Sequence, residues 1–362
     1  MNIKKQALAV VAGPYRFYQI LWLYTQFTEY QWSILLLPYG NNSRVIMDIH
    51  SKCVQLGIFK NIYHSSMVGQ DSGKGEQICI ILQMLLYFIV GKRKNLMKKI
   101  IFSQTQYQEF DAYFIGCEYS IIEGAIIGIS DEKDVYIFEE GLGDYLTRKK
   151  YPSLSLKEIL CFIVCKMGYF SPHTYFELKK INHCTKYASL PELLSDRKFK
   201  SVIQLFEGDG ISKQKYKNIL NTIYSFSYEV IKECDVVFFT SPWDWDIDKK
   251  NEYFEKMHKW MKEKYKGKKI CIKRHPRDNE NYLWADLDCI FLEDHVPAEI
   301  LVNEIKKNQE VIMMGTSTIL LSILSKTDNI NIFRFKSIHG EYERYIDEKV
   351  SLLKLEKNVI DL

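Results

Sequence analysis

Apolar and polar positions follow a repeating order along the chain: a short run rich in Val, Ile and Phe, then a longer stretch with apolar residues at helical spacing. The runs that predict strands form two series, residues 7–13, 33–38, 111–117 and 134–141, then 201–208, 235–242, 269–276, 288–294, 310–317 and 330–336. The stretches that predict helices are residues 15–29, 76–98, 212–233, 249–266 and 297–308. Near-continuous apolar strands that alternate with helices are typical of parallel sheets covered on both faces.

Two such series in one chain predict an α/β protein with two Rossmann-like domains that face each other across a cleft. The 362 residues are enough for two domains. We place the boundary near residue 195, which gives an N-terminal domain over 1–195 and a C-terminal domain over 196–362. Because doubly wound sheets bind ligands beyond the carboxyl ends of their strands, we expect the functional residues directly after the strands.

Composition excludes several classes of protein. The chain is 47% hydrophobic and 26% charged, which is ordinary for a globular protein and unlike a disordered or polytopic membrane protein. A net charge of +4 is too small for a nucleic-acid binder, but it leaves room for a local positive cleft that binds an anion. Nine cysteines without paired spacing indicate reduced thiols and therefore a cytoplasmic location.

One apolar segment, residues 78–90, raises the question of whether the chain crosses a membrane. As a helix it would reach about 20 Å, short of the roughly 30 Å hydrocarbon core of a bilayer. The basic residues Lys92, Arg93 and Lys94 follow it. Two interpretations stay open: a buried helix with a solvated basic end, or a peripheral contact with anionic lipid.

An acidic pair closes the strand predicted over residues 134–141. Glu139 and Glu140 are followed by Gly141, which lets a substrate approach the backbone. A carboxylate in this place is suited to act as a general base, and a solvated acidic turn is the alternative.

A basic cluster closes the strand predicted over residues 269–276. Lys273, Arg274, His275 and Arg277 surround Pro276, which constrains the turn. Such side chains are suited to a phosphate, since Arg binds it bidentately and His donates a charge-assisted hydrogen bond, and a solvated basic turn is the alternative.

Two further polar groups begin predicted helices of the second domain. Gly315, Thr316, Ser317 and Thr318 lie between a strand and a helix, where hydroxyls and free backbone N–H groups form an anion site or simply cap the helix. Glu299 starts a helix after Pro297, where the helix dipole alone explains an acidic residue. Its functional alternative is a contact with the hydroxyls of a ribose.

These groups form one pattern. The basic cluster, the hydroxyl turn and Glu299 follow strands of one domain, while the acidic pair belongs to the other. A phosphate-binding domain opposite a carboxylate-bearing domain is what a sugar-nucleotide transferase of the two-Rossmann (GT-B) type requires. We therefore expect Glu139 and His275 to share one cleft.

The order of Glu-Glu-Gly, His-Pro and a Ser/Thr turn resembles the motifs of bacterial sialyltransferases. The similarity is to glycosyltransferase family 52, with the bacterial polysialyltransferases as relatives. The start VVAGPYRFYQIL, which contains Gly13 and Tyr15, also resembles the opening strand and turn of that group. The resemblance spans about residues 7 to 325.

The resemblance implies roles for individual residues. Glu139 would be the general base, and His275 would contact the phosphate of CMP and assist its departure. The acceptor side would comprise Glu140, Gly141, Gly13 and Tyr15. The donor side would comprise Lys273, Arg274, Pro276, Gly315, Thr316, Ser317 and Thr318, with Glu299 on the ribose.

A different base is also implied for some members of the group. Thr240-Ser241-Pro242 leads into Asp244 and Asp246, so either aspartate competes with Glu139. The same WDWDID run is compatible with a metal-binding DxD motif. We expect no metal and no cofactor, because cationic side chains and a helix N-terminus can replace the cation.

The function expected from the resemblance is an inverting transfer of sialic acid from CMP-sialic acid to a hydroxyl, expected on galactose, of a bacterial capsule or lipooligosaccharide. It would take place in the cytoplasm, at the inner face of the cytoplasmic membrane. Alternatives are another donor, CMP-Kdo or a UDP-hexose, and a non-catalytic nucleotide-binding assembly factor. A homodimer is left open.

Overall fold

The computed structural model describes a large part of both halves of the chain. The described residues are 4–37, 43–65, 105, 108–116, 123, 126–127, 130, 133–139, 183–194, 199–224, 229–241, 249–275, 278, 280–282, 284, 286–292, 296–302, 304–314, 319–324, 327–335, 346–347, 350–351 and 353–361. The chain divides into two compact units, Met1–Glu140 with Thr147–Ile223, and Gly141–Leu146 with Tyr224–Leu362.

The first unit is built on a parallel sheet in the order β3-β2-β1-β4-β5-β6-β7 within the described residues. Its strands are β1 (Lys5–Val11), β2 (Tyr30–Leu36), β3 (Ile62–His64), β4 (Ala112–Ile115), β5 (Asp134–Phe138), β6 (Thr185–Ala188) and β7 (Ser201–Gln204). Its helices are α1 (Pro14–Gln26), α2 (Ser43–Leu56) and α3 (Gly210–Ile223), with a 3-10 helix at Pro191–Leu194.

The second unit repeats this arrangement, with a parallel sheet in the order β10-β9-β8-β11-β12-β13. The strands are β8 (Val236–Phe239), β9 (Lys269–Lys273), β10 (Asp288–Phe291), β11 (Glu310–Met314), β12 (Ile330–Arg334) and β13 (Val359–Asp361). The helices are α4 (Glu229–Lys232), α5 (Lys250–Tyr265), α6 (Ala298–Val302) and α7 (Ile319–Leu324), with a 3-10 helix at Glu356–Asn358.

Both sheets confirm the predicted α/β class with two Rossmann-like sheets. In each sheet the strand order reverses once, between β1 and β4 in the first unit and between β8 and β11 in the second. Such a reversal opens a crevice at the carboxyl ends of the strands, where doubly wound proteins bind ligands. The groups best placed to meet a ligand therefore follow β1 and β4, β8 and β11, and their neighbours.

The units divide later in the chain than residue 195. The run at residues 201–208, expected to open the second series, contains β7, which pairs with β6 in the first sheet. In addition, α3 packs on α1 through aromatic contacts, with the ring centroid of Tyr216 5.2 Å from that of Tyr18 and 5.3 Å from that of Trp22. These contacts bind residues up to Ile223 to the first unit.

Several other details depart from the sequence prediction. β3, β6, β13 and α2 are not among the predicted elements. The helix expected over 212–233 is divided, because α3 ends at Ile223 and α4 begins at Glu229. The predicted helix 76–98, including the apolar segment 78–90, lies outside the described residues. Among the helices that are described, none has the length and apolar character needed to cross a bilayer.

Candidate active site

Glu139 follows β5 directly and is fully buried. Tyr15 donates its hydroxyl to Glu139 Oε1 over 2.6 Å, and the Ser189 backbone N–H donates to Oε2 over 2.8 Å. The Ser189 hydroxyl also donates to Oε1. These bonds compensate the carboxyl group for the loss of water and fix its orientation. Unlike the carboxyl group of Glu139, the side chains of Tyr15 and Ser189 are only half-buried.

The turn between β1 and α1 sets the position of Tyr15. Gly13 has φ 129° and ψ 169°, a conformation that is nearly restricted to glycine. Pro14 then occupies the first turn of α1, where its missing N–H costs nothing. One turn further along α1, Gln19 Nε2 donates to the Glu139 carbonyl oxygen over 2.9 Å. Two residues of α1, Tyr15 and Gln19, thus hold the side chain and the backbone of Glu139.

A buried ion pair lies at the same edge of the sheet. Arg16 Nη1 contacts Glu123 Oε1 at 3.2 Å, and the Gly116 N–H donates to the same oxygen over 2.8 Å. A Cβ atom on Gly116 would lie 2.7 Å from Arg16 Cδ and from Phe138 Cε2, so only glycine fits beside the arginine. Since the side chains are 9% and 0% exposed, this ion pair is part of the interior.

The first unit therefore places polar groups after neighbouring strands β1, β4, β5 and β6. Of the residues in these two clusters, Gly13, Tyr15 and Glu139 were among the predicted site residues, and Arg16, Glu123 and Ser189 were not. Arg16 could have been suspected because it immediately follows the Gly-Pro-Tyr turn of the opening motif. Ser189 and Glu123 lie in segments whose sequence gives no comparable signal.

In the second unit, His275 is held by its backbone. Its N–H donates to Thr240 Oγ1 over 3.1 Å, and its carbonyl oxygen accepts the Asp278 N–H over 2.8 Å. Thr240 follows β8, and His275 follows the neighbouring strand β9, so the bond to Thr240 links two adjacent strand ends.

Asp278 is the centre of this network. Its buried carboxyl group accepts the Thr240 hydroxyl, the Tyr282 hydroxyl over 2.7 Å and the Glu280 N–H over 3.1 Å. Burial raises the pKa of Asp278, and the hydrogen bonds from Thr240 and Tyr282 oppose that rise. Neither Thr240 nor Asp278 was among the predicted site residues; Thr240 entered the prediction only as the start of the segment that leads to Asp244.

The donor-side candidates Lys273, Arg274 and Glu299 lie in the same unit. Lys273 is 3% exposed, and its Nζ donates to the Arg274 carbonyl oxygen over 2.8 Å. Burial raises the pKa of Glu299, while the bond from its own backbone N–H and then the positive charge of Lys273 act against that rise. The Arg274 guanidinium lies 5.7 Å from the centre of the Phe291 ring. The positive charge of Lys273 thus favours the ionised form of Glu299.

A model of the alpha-2,8-polysialyltransferase (POLYST) family matches residues 7–333. The chain belongs to this family. The match covers both sheets up to β12 and includes Glu139, His275 and Glu299. No curated protein matches this polysialyltransferase-family chain significantly in sequence.

Solved structures support the same fold for this member of the polysialyltransferase family. The crystal structure of a sialyltransferase from Photobacterium damsela is similar with a TM-score of 0.57 at 12% identity, covering 99% of this chain and 82% of that one. The glycotransferase of kitacinnamycin is similar with a TM-score of 0.51 at 8% identity, covering 100% and 87%. At such low identity the likeness concerns architecture, and it confirms the GT-B type of fold.

Part of the predicted site of this polysialyltransferase-family chain lies outside the described residues. This applies to Glu140, Gly141, Asp244, Asp246, Pro276, Arg277, Gly315, Thr316, Ser317 and Thr318, and to the basic run Lys92, Arg93 and Lys94. Their roles stay predictions. Within the described part of the chain, no group of His, Cys, Asp and Glu side chains is arranged to hold a metal ion.

Proposed function

We propose that this polysialyltransferase-family chain is an inverting sialyltransferase that uses CMP-sialic acid as its donor. The observation that carries the proposal is the family match over residues 7–333, which takes in both the carboxyl group of Glu139 and the turn of His275. Each of these residues follows a strand at the carboxyl edge of a doubly wound sheet, the edge at which such sheets bind ligands.

The reaction proposed is a single displacement at the anomeric carbon of sialic acid. The acceptor oxygen forms the new bond on one face, and the bond to the phosphate oxygen breaks on the other, so CMP leaves with the bonding electron pair. The transition state resembles an oxocarbenium ion, as in inverting glycoside hydrolysis. The protein must therefore take one proton from the acceptor and neutralise the charge that develops on CMP.

Glu139 is proposed as the group that finally receives the acceptor proton. Because its carboxyl group is buried, while Tyr15 is half-buried and belongs to the acceptor side that the resemblance implies, we propose that Tyr15 relays the proton. The acceptor hydroxyl donates to the Tyr15 oxygen as the proton of Tyr15 moves along its 2.6 Å hydrogen bond to Glu139 Oε1. Asp244 and Asp246 stay the alternative bases. If either of them is the base, the relay through Tyr15 is not needed.

The leaving CMP is proposed to bind at the second unit. His275 and Arg274 would contact its phosphate and stabilise the charge that appears there, as preorganised donors do in other transferases. Lys273, Pro276 and the residues Gly315, Thr316, Ser317 and Thr318 complete this donor side, and Glu299 binds the ribose hydroxyls. With these cationic and hydroxyl groups the proposal needs no metal ion, and undiminished transfer in excess EDTA is the expected result.

The acceptor proposed is a hydroxyl of a bacterial surface glycan. Galactose is the acceptor that the resemblance implies. Sialic acid is a second proposed acceptor, because the family is one of alpha-2,8-polysialyltransferases, and such a linkage joins one sialic acid to another. Glu140, Gly141 and Gly13 are proposed on this side. We place the enzyme in the cytoplasm at the inner face of the membrane, with Lys92, Arg93 and Lys94 as the candidate contact with lipid.

The deciding experiment is incubation with CMP-sialic acid and two acceptors, one ending in galactose and one in sialic acid, followed by measurement of CMP release and analysis of the product linkage. Parallel reactions with CMP-Kdo and UDP-hexoses test the other donors. Turnover with CMP-sialic acid supports the proposal, and turnover with only another donor contradicts it. Thermal stabilisation by CMP without turnover of any donor would favour the non-catalytic assembly factor.

A further inference from the structure

The geometry points to Thr240 and Asp278 as positioning residues that hold His275 in the place where the transfer requires it. This inference rests on the proposed function, because it assumes that His275 contacts the leaving phosphate. Neither residue needs to touch the substrate; both act through the backbone of His275.

The contacts form a closed ring around the His275 backbone. Thr240 Oγ1 accepts the His275 N–H over 3.1 Å and donates its own proton to the Asp278 carboxyl group. The Asp278 N–H in turn donates to the His275 carbonyl oxygen over 2.8 Å. The N–H and the C=O of His275 are thus both held by members of one network, which leaves its peptide groups little freedom to turn.

This network is placed where water cannot replace it. Thr240 is 7% exposed and Asp278 is 5% exposed. A buried carboxyl group costs stability unless donors satisfy it, and the fold supplies the hydroxyls of Thr240 and Tyr282 together with the Glu280 N–H. An apolar residue would fill the same space without that cost. The presence of Thr240 and Asp278 is therefore better explained by the orientation that they impose on the His275 backbone.

The adjacent residue extends the link to a third strand. Ser241 donates its hydroxyl to the carbonyl oxygen of Met314, the last residue of β11. Met314 directly precedes Gly315 in the sequence, the start of the predicted hydroxyl turn. The Thr240-Ser241 pair after β8 therefore contacts the ends of both neighbouring strands, β9 and β11.

Thr240→Val tests the inference because it keeps the shape of the side chain and removes both hydrogen bonds. Since small displacements of a catalytic group cost about 100-fold in rate, we expect kcat for transfer to fall by roughly 10- to 100-fold, with a much smaller change in KM for CMP-sialic acid. Thr240→Ser keeps the hydroxyl and should restore most of kcat.

Thr327→Val is the matched control. Thr327 is also buried, accepts the Asn329 N–H over 3.0 Å and donates to the Lys307 carbonyl oxygen over 3.1 Å, so it makes the same kinds of bond as Thr240. It precedes β12, at the edge of the sheet opposite the strand ends that carry Thr240 and His275. Any loss of stability in Thr327→Val should leave kcat within about threefold of the wild type, as expected for a site distant from the chemistry.

A double-mutant cycle separates positioning from general structural damage. If Thr240 acts through His275, then Thr240→Val should have no further effect on kcat in a His275→Ala background, because the group that it positions is already gone. A merely structural role would lower kcat by the same factor in both backgrounds and would overturn the inference. Wild-type kcat in Thr240→Val would also overturn it.

A second measurement distinguishes failure of this inference from failure of the proposed function. If the wild type transfers from no donor, the proposed function fails, and hydrogen exchange in the peptide that contains His275 still tests the network. We expect exchange to accelerate in Thr240→Val and to stay unchanged in Thr240→Ser and Thr327→Val. Unchanged exchange in Thr240→Val would overturn the claim that Thr240 holds His275.

Discussion

Both units hold a polar residue at the end of a strand, but their hydrogen bonds converge on different parts of that residue. In the first unit the bonds from Tyr15 and Ser189 converge on a side chain, the carboxyl group of Glu139. In the second unit the bonds from Thr240 and Asp278 converge on a backbone, that of His275. The first arrangement fixes the orientation of a carboxyl group, and the second fixes the main chain just after β9.

This difference teaches which substitutions separate chemistry from folding. Where the hydrogen bonds hold a side chain, a substitution of that side chain lowers activity directly. Where the hydrogen bonds hold the backbone, activity can also be lowered by substituting a residue that makes those bonds and does not contact the substrate. Four substitutions test this contrast, from the largest expected effect to the smallest.

Glu139→Gln should produce the largest loss of activity. The amide keeps the size of the side chain but cannot accept the acceptor proton, so kcat should fall by about 1000-fold, within the range known for general-base catalysis. Steady-state transfer assays measure it. Glu192→Gln, at an exposed acidic position of the same unit, is the control and should leave kcat unchanged. A Glu139→Gln enzyme with wild-type kcat would transfer the role of base to Asp244 or Asp246.

Glu123→Ala should lower the free energy of unfolding more than the other three substitutions do. It leaves Arg16 charged and buried without this carboxylate, and breaking a buried ion pair costs about 3–5 kcal/mol. Chemical denaturation measures the free energy of unfolding, with the exposed Glu192→Ala as the control, expected within about 0.5 kcal/mol of the wild type. An equally small effect of Glu123→Ala would show that Arg16 finds water or another partner.

Tyr15→Phe sharpens the account of proton transfer. Without the hydroxyl there is no relay to the buried Glu139, so kcat should fall by roughly 10- to 100-fold. The lost hydrogen bond to a buried carboxyl group should also lower the unfolding temperature. The pH dependence of kcat should be compared for the wild type and the variant. An unchanged kcat would mean that the acceptor reaches Glu139 directly, and the relay would be abandoned.

Glu299→Gln should have the smallest effect on turnover and an informative dependence on pH. Burial raises the pKa of Glu299 above its ordinary value of 4.5, so the folded state favours its protonated form. Its stabilising contribution is therefore complete below pH 4.5 and is lost as the pH rises through the folded pKa, which means that the ionised carboxylate costs stability near pH 7.

The neutral Gln avoids that cost. At pH 7 the unfolding temperature of Glu299→Gln should exceed that of the wild type, and the gap should close as the pH falls toward 4.5. KM for CMP-sialic acid should rise about tenfold, because one charge-assisted contact to the ribose is lost. A lower unfolding temperature at pH 7 would contradict the expected gain in stability, and an unchanged KM would contradict the proposed contact with the ribose.

The sequence predicted most strands correctly because their apolar runs are long and both faces are covered, as in β1, β8 and β11. It missed β6 because Lys186 interrupts the apolar pattern. In the structure this lysine is fully buried and donates to the Phe138 carbonyl oxygen over 3.3 Å. It assigned β7 to the wrong sheet because pairing with β6 could not be inferred once β6 was missed.

The candidate site was predictable where a residue directly follows a strand and belongs to a recognisable motif. The roles of Glu139, His275 and Glu299 stay predictions; Glu299 lies at the start of α6, while Glu139 and His275 are of this kind. Ser189, Glu123 and Asp278 are not, because their importance comes from contacts between segments far apart in the chain, such as the bond from Ser189 to Glu139 across 50 positions. Only the folded chain brings such partners together.

The most direct test of the central proposal, that Glu139 and His275 both serve sialyl transfer, is the initial rate of CMP release from CMP-sialic acid with a glycan acceptor. It should be measured for the wild type, Glu139→Gln and His275→Ala. The account predicts turnover by the wild type and a loss of about 100- to 1000-fold or more in each variant, as expected when a preorganised catalytic group is removed. Near wild-type rates in both variants, or a folded wild type that releases no CMP, would contradict it.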